Sequence, residues 1–206
     1  KNLELQQKLL QVQMNPHFIY NTLASIEGSL YKNSPEEVSA FISDFSHLFR
    51  NILESSRKEF IPLQSELKML EQYIRLQKLR YGEIFSCYFY VDSSIDTDAV
   101  CLPPMIIQPF IENAIEHAFS GVNYKGQIKV VINKSEHYLN IEICDNGIGF
   151  SNKKSSSLPK KDFASLSHTI IGERLKFMSH GRAKFGLEIE NFQQPPNNTG
   201  TNIKLN

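Results

Sequence analysis

Three stretches of this chain combine residue types and spacings that can do chemistry. In QPFIENAIEHAF, residues 108–119, Asn113 and His117 are four apart and so share a face of a helix, with Glu112 and Glu116 bracketing them. An amide oxygen beside carboxylates suits Mg²⁺, which takes oxygen ligands and keeps several waters and substrate phosphates. The same residues also fit an ordinary solvated helix face, and composition alone leaves both readings open. In DNGIGF, residues 145–150, two glycines two apart follow an apolar strand. Gly147 and Gly149 let a backbone turn tightly and approach a ligand, and Asp145 offers an acceptor for an exocyclic amine. A plain Asp-Asn-Gly turn is the competing reading. The polar stretch 151–168 reads as a mobile loop whose Lys153, Lys154, Lys160 and Lys161 can screen a triphosphate or simply sit in water.

A further reactive candidate is His17, in NPHFIYNTL at residues 15–23. A neutral imidazole nitrogen is a workable nucleophile toward phosphorus, and histidine titrates near neutrality. Pro16 removes a helical hydrogen bond and costs roughly 3 kcal/mol in a helix interior. The expectation is a kink that turns His17 outward toward the second half of the chain. Asn21, four residues on, shares that face and can orient the ring or a water. A bundle histidine with a satisfied hydrogen bond is the plainer alternative. The six histidines show no zinc-ligand spacing.

The elements that must position these groups fall into two halves. Leu5, Leu9, Val12, Pro16, Ile19, Leu23, Ile26 and Leu30 recur at spacings of four and three, a heptad seam. The seam keeps register through Pro16, which favours one kinked helix over a helix that starts with Asn15 as cap and Pro16 first. Ser34-Pro35-Glu36-Glu37 reads as a capping box, followed by an apolar face of Val38, Phe41, Ile42, Phe45, Phe49, Ile52 and Leu53. After Pro62, the residues Leu63, Leu67, Leu70, Ile74 and Leu76 resume a helical pattern to Arg80. Such a hairpin, apolar over broad faces, predicts a dimeric four-helix bundle.

From Tyr81-Gly82 the pattern changes. Phe85, Cys87, Phe89 and Val91 alternate with Ser86, Tyr88 and Tyr90 as in a strand. Pro103-Pro104 is expected to open an apolar helix through Ala118. Strands are expected near 128–133, 138–144, 184–191 and 201–205, with a short helix near 171–178. The fold class is therefore α+β: a helical hairpin over 1–80, then an α/β sandwich over 81–206 with a mostly antiparallel or mixed sheet.

With 206 residues, 41% of them hydrophobic, the chain can bury a real core. Lys plus Arg and Asp plus Glu are 22 each, so the net charge is zero and nothing points to nucleic acid or an anionic membrane surface. No apolar run spans a bilayer. The first residue is Lys, so a piece of a longer protein is expected, and anything upstream, a membrane anchor included, is not visible in this sequence. Cys87, Cys101 and Cys144 lack CxxC pairing and read as small buried hydrophobes in a reducing compartment.

In order and spacing, the helix motif and DNGIGF resemble the N-box and G1 box of the GHKL family of ATP-binding domains. With NPHFIYNTL, LQSEL at 63–67 and PPMIIQPFIENAIEH at 103–117, the chain resembles the LytS-like sensor histidine kinases over essentially its whole length. The resemblance implies ATP and Mg²⁺, with Asn113 as metal ligand and Asp145 on the adenine amine. Glu112, His117, Gly147 and Gly149 would complete the nucleotide site, 151–168 would be the ATP lid, and His17 would receive the γ-phosphate. Implied partners are a second copy of the chain and the receiver domain of a response regulator, on the cytoplasmic side of an inner membrane.

The chain also departs from that family. Ser165 and Ser167 stand where a G2 box has glycines, which bears on lid closure and ATP affinity, and Gly172 lies further along. Phe18 occupies the place where other histidine kinases carry an acidic base. Pro109 stands where ATP-hydrolysing relatives place a glutamate, which argues against a steady ATPase. A nucleotide-binding dimer scaffold, or a regulator phosphatase with weak kinase activity, is the alternative function.

Overall fold

Ser34 fixes by local chemistry the start of the longest helix among the described residues. Its hydroxyl accepts the Glu37 N–H at 3.3 Å, and the Glu37 carboxylate accepts the Ser34 N–H at 3.0 Å. Two otherwise orphaned donors are thereby satisfied, the reciprocal cap expected from the sequence. The computed structural model describes residues 16–29, 34–119, 122–135, 138–148, 187–194 and 198–205. The seam residues Leu5, Leu9, Val12 and Leu30, and with them the continuity of a helix through Pro16, lie outside the described residues. So do the short helix expected at 171–178 and the loop 151–168.

The chain divides into two compact units, Lys1–Gly82 with Thr97–Ile106, and Glu83–Asp96 with Ile107–Asn206. The first contains helices α1 (Pro16–Ser29), α2 (Pro35–Ser56) and α3 (Leu63–Tyr81), plus two-residue strands β1 (Ile61–Pro62) and β3 (Cys101–Leu102). On α2 the buried stripe is Val38, Phe41, Leu48 and Ile52, while Ile42 is exposed. All five apolar positions expected on α3 are buried. Asn51 Nδ2 donates to Gln72 Oε1 at 3.2 Å between α2 and α3. Gly82 ends α3 at φ 71°, a backbone angle that favours glycine, and its N–H donates to the Lys78 carbonyl at 2.8 Å.

The second unit is built on a five-stranded sheet. Its strands are β2 (Phe85–Val91), β4 (Gly126–Lys134), β5 (Leu139–Asp145), β6 (Leu187–Gln194) and β7 (Asn198–Leu205), in the order β2-β4-β5-β7-β6. β2 runs parallel to β4 and every other pair is antiparallel. Along β4, Ile128, Val130 and Ile132 are wholly buried and alternate with exposed Gln127, Lys129 and half-buried Val131. Each fully buried side chain of this size contributes about 1.5–3 kcal/mol.

The helix before β4 differs from expectation. It begins as α4 at Gln108, not at Pro103-Pro104, and after Asn113 widens into a π-helical turn, Ala114–Ala118. The prolines explain the late start. Each disfavours the α region for the residue before it, so Leu102 and Pro103 are pushed toward extended backbone. Leu102 is drawn into the pairing of β3 with β1, and Met105 takes φ 58°. No helix among the described residues is long and apolar enough to cross a membrane.

Candidate functional site

The sheet register determines where Asp145 lies. On β5, Ile141, Ile143 and Asp145 fall on one buried face, opposite Ile132, Val130 and Ile128 of β4. The pleat therefore continues an apolar row into a carboxyl group, 7% exposed, at the strand's last position. A sheet interior gains nothing from an acid there, since a buried polar group must be compensated. Asp145 Oδ1 accepts the Gly147 N–H at 2.9 Å, an Asx-type turn that leads the chain off the strand.

That turn is fastened on two sides. Asn146 N–H donates to the Gln127 carbonyl at 3.1 Å, while Asn146 Oδ1 accepts the Gln127 N–H at 2.6 Å. Tyr124 Oη donates to the Asn146 carbonyl at 2.6 Å. On the other side Ile148 N–H donates to the Ala118 carbonyl at 2.9 Å, tying the turn to the end of the π-helical segment. Gly147 is pressed against that same residue: a Cβ there would overlap the Cβ and the carbonyl oxygen of Ala118. Glycine is required at 147 by close approach, not by a positive φ.

The helix that meets this turn at Ala118 also carries the remaining candidates. Glu112 is buried, Asn113 and Glu116 are half-buried, and His117 is exposed. Asn113 and His117 thus share a helix but not an environment, because the helix becomes a π turn between them. Gly126, at the start of β4, leaves room for Phe119, whose ring atoms would lie 2.6–2.7 Å from any added Cβ. Gly149, the four loop lysines, Ser165, Ser167 and Gly172 lie outside the described residues. His17 and Asn21 belong to α1 in the first unit, and their side chains lie outside the described set. The sequence reading missed Ala118, Asn146 and Tyr124; only the spacing of Gly147 from its strand hinted at a close neighbour.

Among the described residues no group of three His, Cys, Asp or Glu side chains gathers to hold a metal. The half-buried Asn113 amide offers a hard oxygen, the kind of ligand Mg²⁺ takes alongside water and phosphate oxygens.

Two family models match the chain in succession. Residues 5–85 match the histidine kinase family, and residues 104–193 match the histidine kinase-, DNA gyrase B-, and HSP90-like ATPases. The chain belongs to the histidine kinases, with an ATPase domain of the GHKL type following its histidine kinase segment. Within that class it is similar to Sensor protein LytS of Enterococcus faecalis, 31% identical over 92% of this chain and 32% of that protein. Sensor protein LytS of Staphylococcus saprophyticus is 34% identical over 79% of this chain and 27% of that protein. The chain thus spans about a third or less of the length of these relatives. A histidine kinase domain from Erythrobacter litoralis superposes with a TM-score of 0.51 at 16% identity, covering 98% of this chain and 95% of that one. A bacterial phosphotransferase gives 0.53 at 12% identity, covering 100% and 97%. At those identities the likeness establishes the fold, in agreement with the α+β class read from the sequence.

Proposed function

We propose that this chain is the transmitter region of a sensor histidine kinase, which autophosphorylates His17 from ATP and passes the phosphoryl group to an aspartate of a response regulator. The observation that carries the reading is the buried carboxyl of Asp145, held at a strand end by a turn that tolerates no side chain at Gly147. A buried acceptor of fixed direction suits selection of the adenine amine, since a base that presents no donor there forgoes that hydrogen bond. Glu112, Asn113, His117 and Gly149 complete the site in this reading, with Asn113 as the Mg²⁺ ligand. When bound, Mg²⁺ neutralises phosphate charge and aligns the leaving group.

We read residues 1–80 as the dimerisation and phosphotransfer hairpin and 81–206 as the catalytic domain, with Thr97–Ile106 of the latter grouped with the helical unit. Support for a homodimer comes from apolar side chains left exposed on a single chain: Tyr20 at 72%, Leu23, on the seam, at 49% and Ile42 at 44%. In the transfer, an imidazole nitrogen of His17 bonds to the γ-phosphorus as the bond to the bridging oxygen breaks and ADP leaves. Asn21 orients the ring or a water, and Pro109 leaves no glutamate to activate hydrolysis. The relatives are sensor proteins about three times as long as this chain, which supports reading it as one part of a longer sensor; we place that part on the cytoplasmic side of an inner membrane.

The test is incubation with γ-labelled ATP. Acid-labile, base-stable label that disappears in His17→Gln and persists in His47→Gln supports the reading; label retained in His17→Gln overturns it. Nucleotide binding without label, together with regulator dephosphorylation lost in Asn21→Ala, would favour the phosphatase alternative that Ser165 and Ser167 motivate.

A further inference from the structure

The motif LQSEL has no role in the site just described, yet it organises a second feature. Helix α3 begins without a side-chain cap, since Pro62 offers none. Its first donors are taken instead by a distant loop: Leu63 N–H donates to the Val100 carbonyl at 2.8 Å and Gln64 N–H to the Thr97 carbonyl at 2.9 Å. Thr97 Oγ1 donates to Gln64 Oε1 at 3.0 Å, and the β1–β3 pairing sets Ile61 opposite Leu102 and Pro62 opposite Cys101. One turn into the helix, Glu66, 1% exposed, accepts the Met105 N–H at 2.8 Å. Met105 is the only non-glycine residue at positive φ among the described residues. A bulky side chain persists there only where its surroundings over-determine it. Residues 97–106 thus belong to the helical unit, although the chain has already left that unit after Gly82. At Ile107 it leaves again, directly into the helix that carries Asn113.

We infer that Glu66 is a positioning residue for phosphoryl transfer: its buried carboxyl latches Met105 and so fixes the point from which the chain enters the nucleotide-binding unit. The inference rests on the kinase reading above. Glu66 touches no substrate. Its effect is to hold residues 97–106 as a clasp, so that the chain joins the units at Asp96–Thr97 and Ile106–Ile107 as well as at Gly82–Glu83, and not at Gly82–Glu83 alone. A joint of one link in place of three is looser and lowers the effective concentration of one unit at the other.

The test compares Glu66→Ala, Glu66→Gln and the unaltered dimer in three measurements: binding of a non-hydrolysable ATP analogue, the rate of His17 labelling, and amide exchange over residues 97–106. Glu66→Ala should bind the analogue within twofold of the unaltered chain, lose exchange protection at Met105, and label His17 at least tenfold more slowly. Glu66→Gln keeps an oxygen that accepts the Met105 N–H and should label within threefold. A further variant adds Pro62→Cys to Glu66→Ala, opposite the native, exposed Cys101. Paired antiparallel positions lie within disulfide reach. Oxidation should restore protection and labelling, and reduction should remove both. Wild-type labelling in Glu66→Ala, equal losses in Ala and Gln, or a crosslinked protein that stays slow each overturns the latch. Should Glu66→Ala not fold, its crosslinked form carries the test. A chain that never labels at all, but whose Met105 protection follows Glu66 as stated, overturns the kinase reading and leaves the clasp itself standing.

Discussion

Gly147→Ala places a methyl group where Ala118 already stands. The overlap is with the Ala118 Cβ and also with its backbone carbonyl, so no side-chain rotation relieves it. Relief comes only from moving the turn, which the bond from Ile148 to Ala118 and the paired bonds between Asn146 and Gln127 resist. Overpacking of this kind costs about 1–3 kcal/mol. Because the Gly147 N–H donates to Asp145 Oδ1, a displaced turn must, in the proposed site, be driven back before the adenine amine can be met. At 1.4 kcal/mol per factor of ten, the affinity for an ATP analogue should fall roughly 5- to 150-fold. Isothermal titration reads this, with a thermal melt as control for folding. Adding Ala118→Gly should rescue only in part, since it removes the Cβ and leaves the carbonyl oxygen. Unchanged affinity and an unchanged melt in Gly147→Ala would refute the close-approach argument.

Other perturbations follow from single interactions. Ser34→Ala removes the hydroxyl half of the capping box and should cost about 1 kcal/mol in denaturant unfolding of the helical unit, with no change in nucleotide affinity. Asp145→Asn replaces an acceptor-only group by an amide, and should reduce the preference for ATP over GTP by roughly ten- to a hundredfold, read by competition binding. Asn113→Ala should abolish the Mg²⁺ dependence of nucleotide binding. Asp92 titrates below the ordinary aspartate value because its carboxylate accepts the Ser94 N–H, at 2.8 Å, and then the Ser94 hydroxyl, against a small opposing effect of burial. A depressed folded pKa means that this turn's stabilisation is present above the unfolded value and lost as pH falls through the folded one. Amide protection at Ser94 should therefore vanish only in the acid range below the ordinary value, and Asp92→Asn should remove that pH dependence.

What the sequence revealed and what it concealed divide along a physical line. The Ser34–Glu37 box was legible because both halves lie within one helical turn, and the α3 core because its spacing is set by one helix. Strands β2, β4 and β5 showed their two-residue period. The parallel pairing of β2 with β4 left no such mark, because partner choice depends on a connection, not on residue type. Leu48, wholly buried on α2, escaped the apolar face read from the sequence, while Ile42, assigned to it, is exposed. The late start of α4 was hidden for a related reason. Pro103-Pro104 suits a first helical turn in isolation, but Leu102 is committed to Ile61 and Met105 to Glu66, both about forty residues away in sequence. At the site, Asp145 and Gly147 were readable as types at a spacing. Ala118, which makes Gly147 obligatory, is an alanine like any other until the fold sets it there.

The central claim is that γ-phosphate from a nucleotide held at Asp145 ends on one particular imidazole. Peptide mapping by mass spectrometry at neutral pH, after a single turnover with ATP, tests it most directly. Phosphate on the peptide containing His17, in the unaltered protein and not in Asp145→Ala, is the predicted result; phosphate on the peptide containing His47, or free phosphate with no modified peptide, would contradict it.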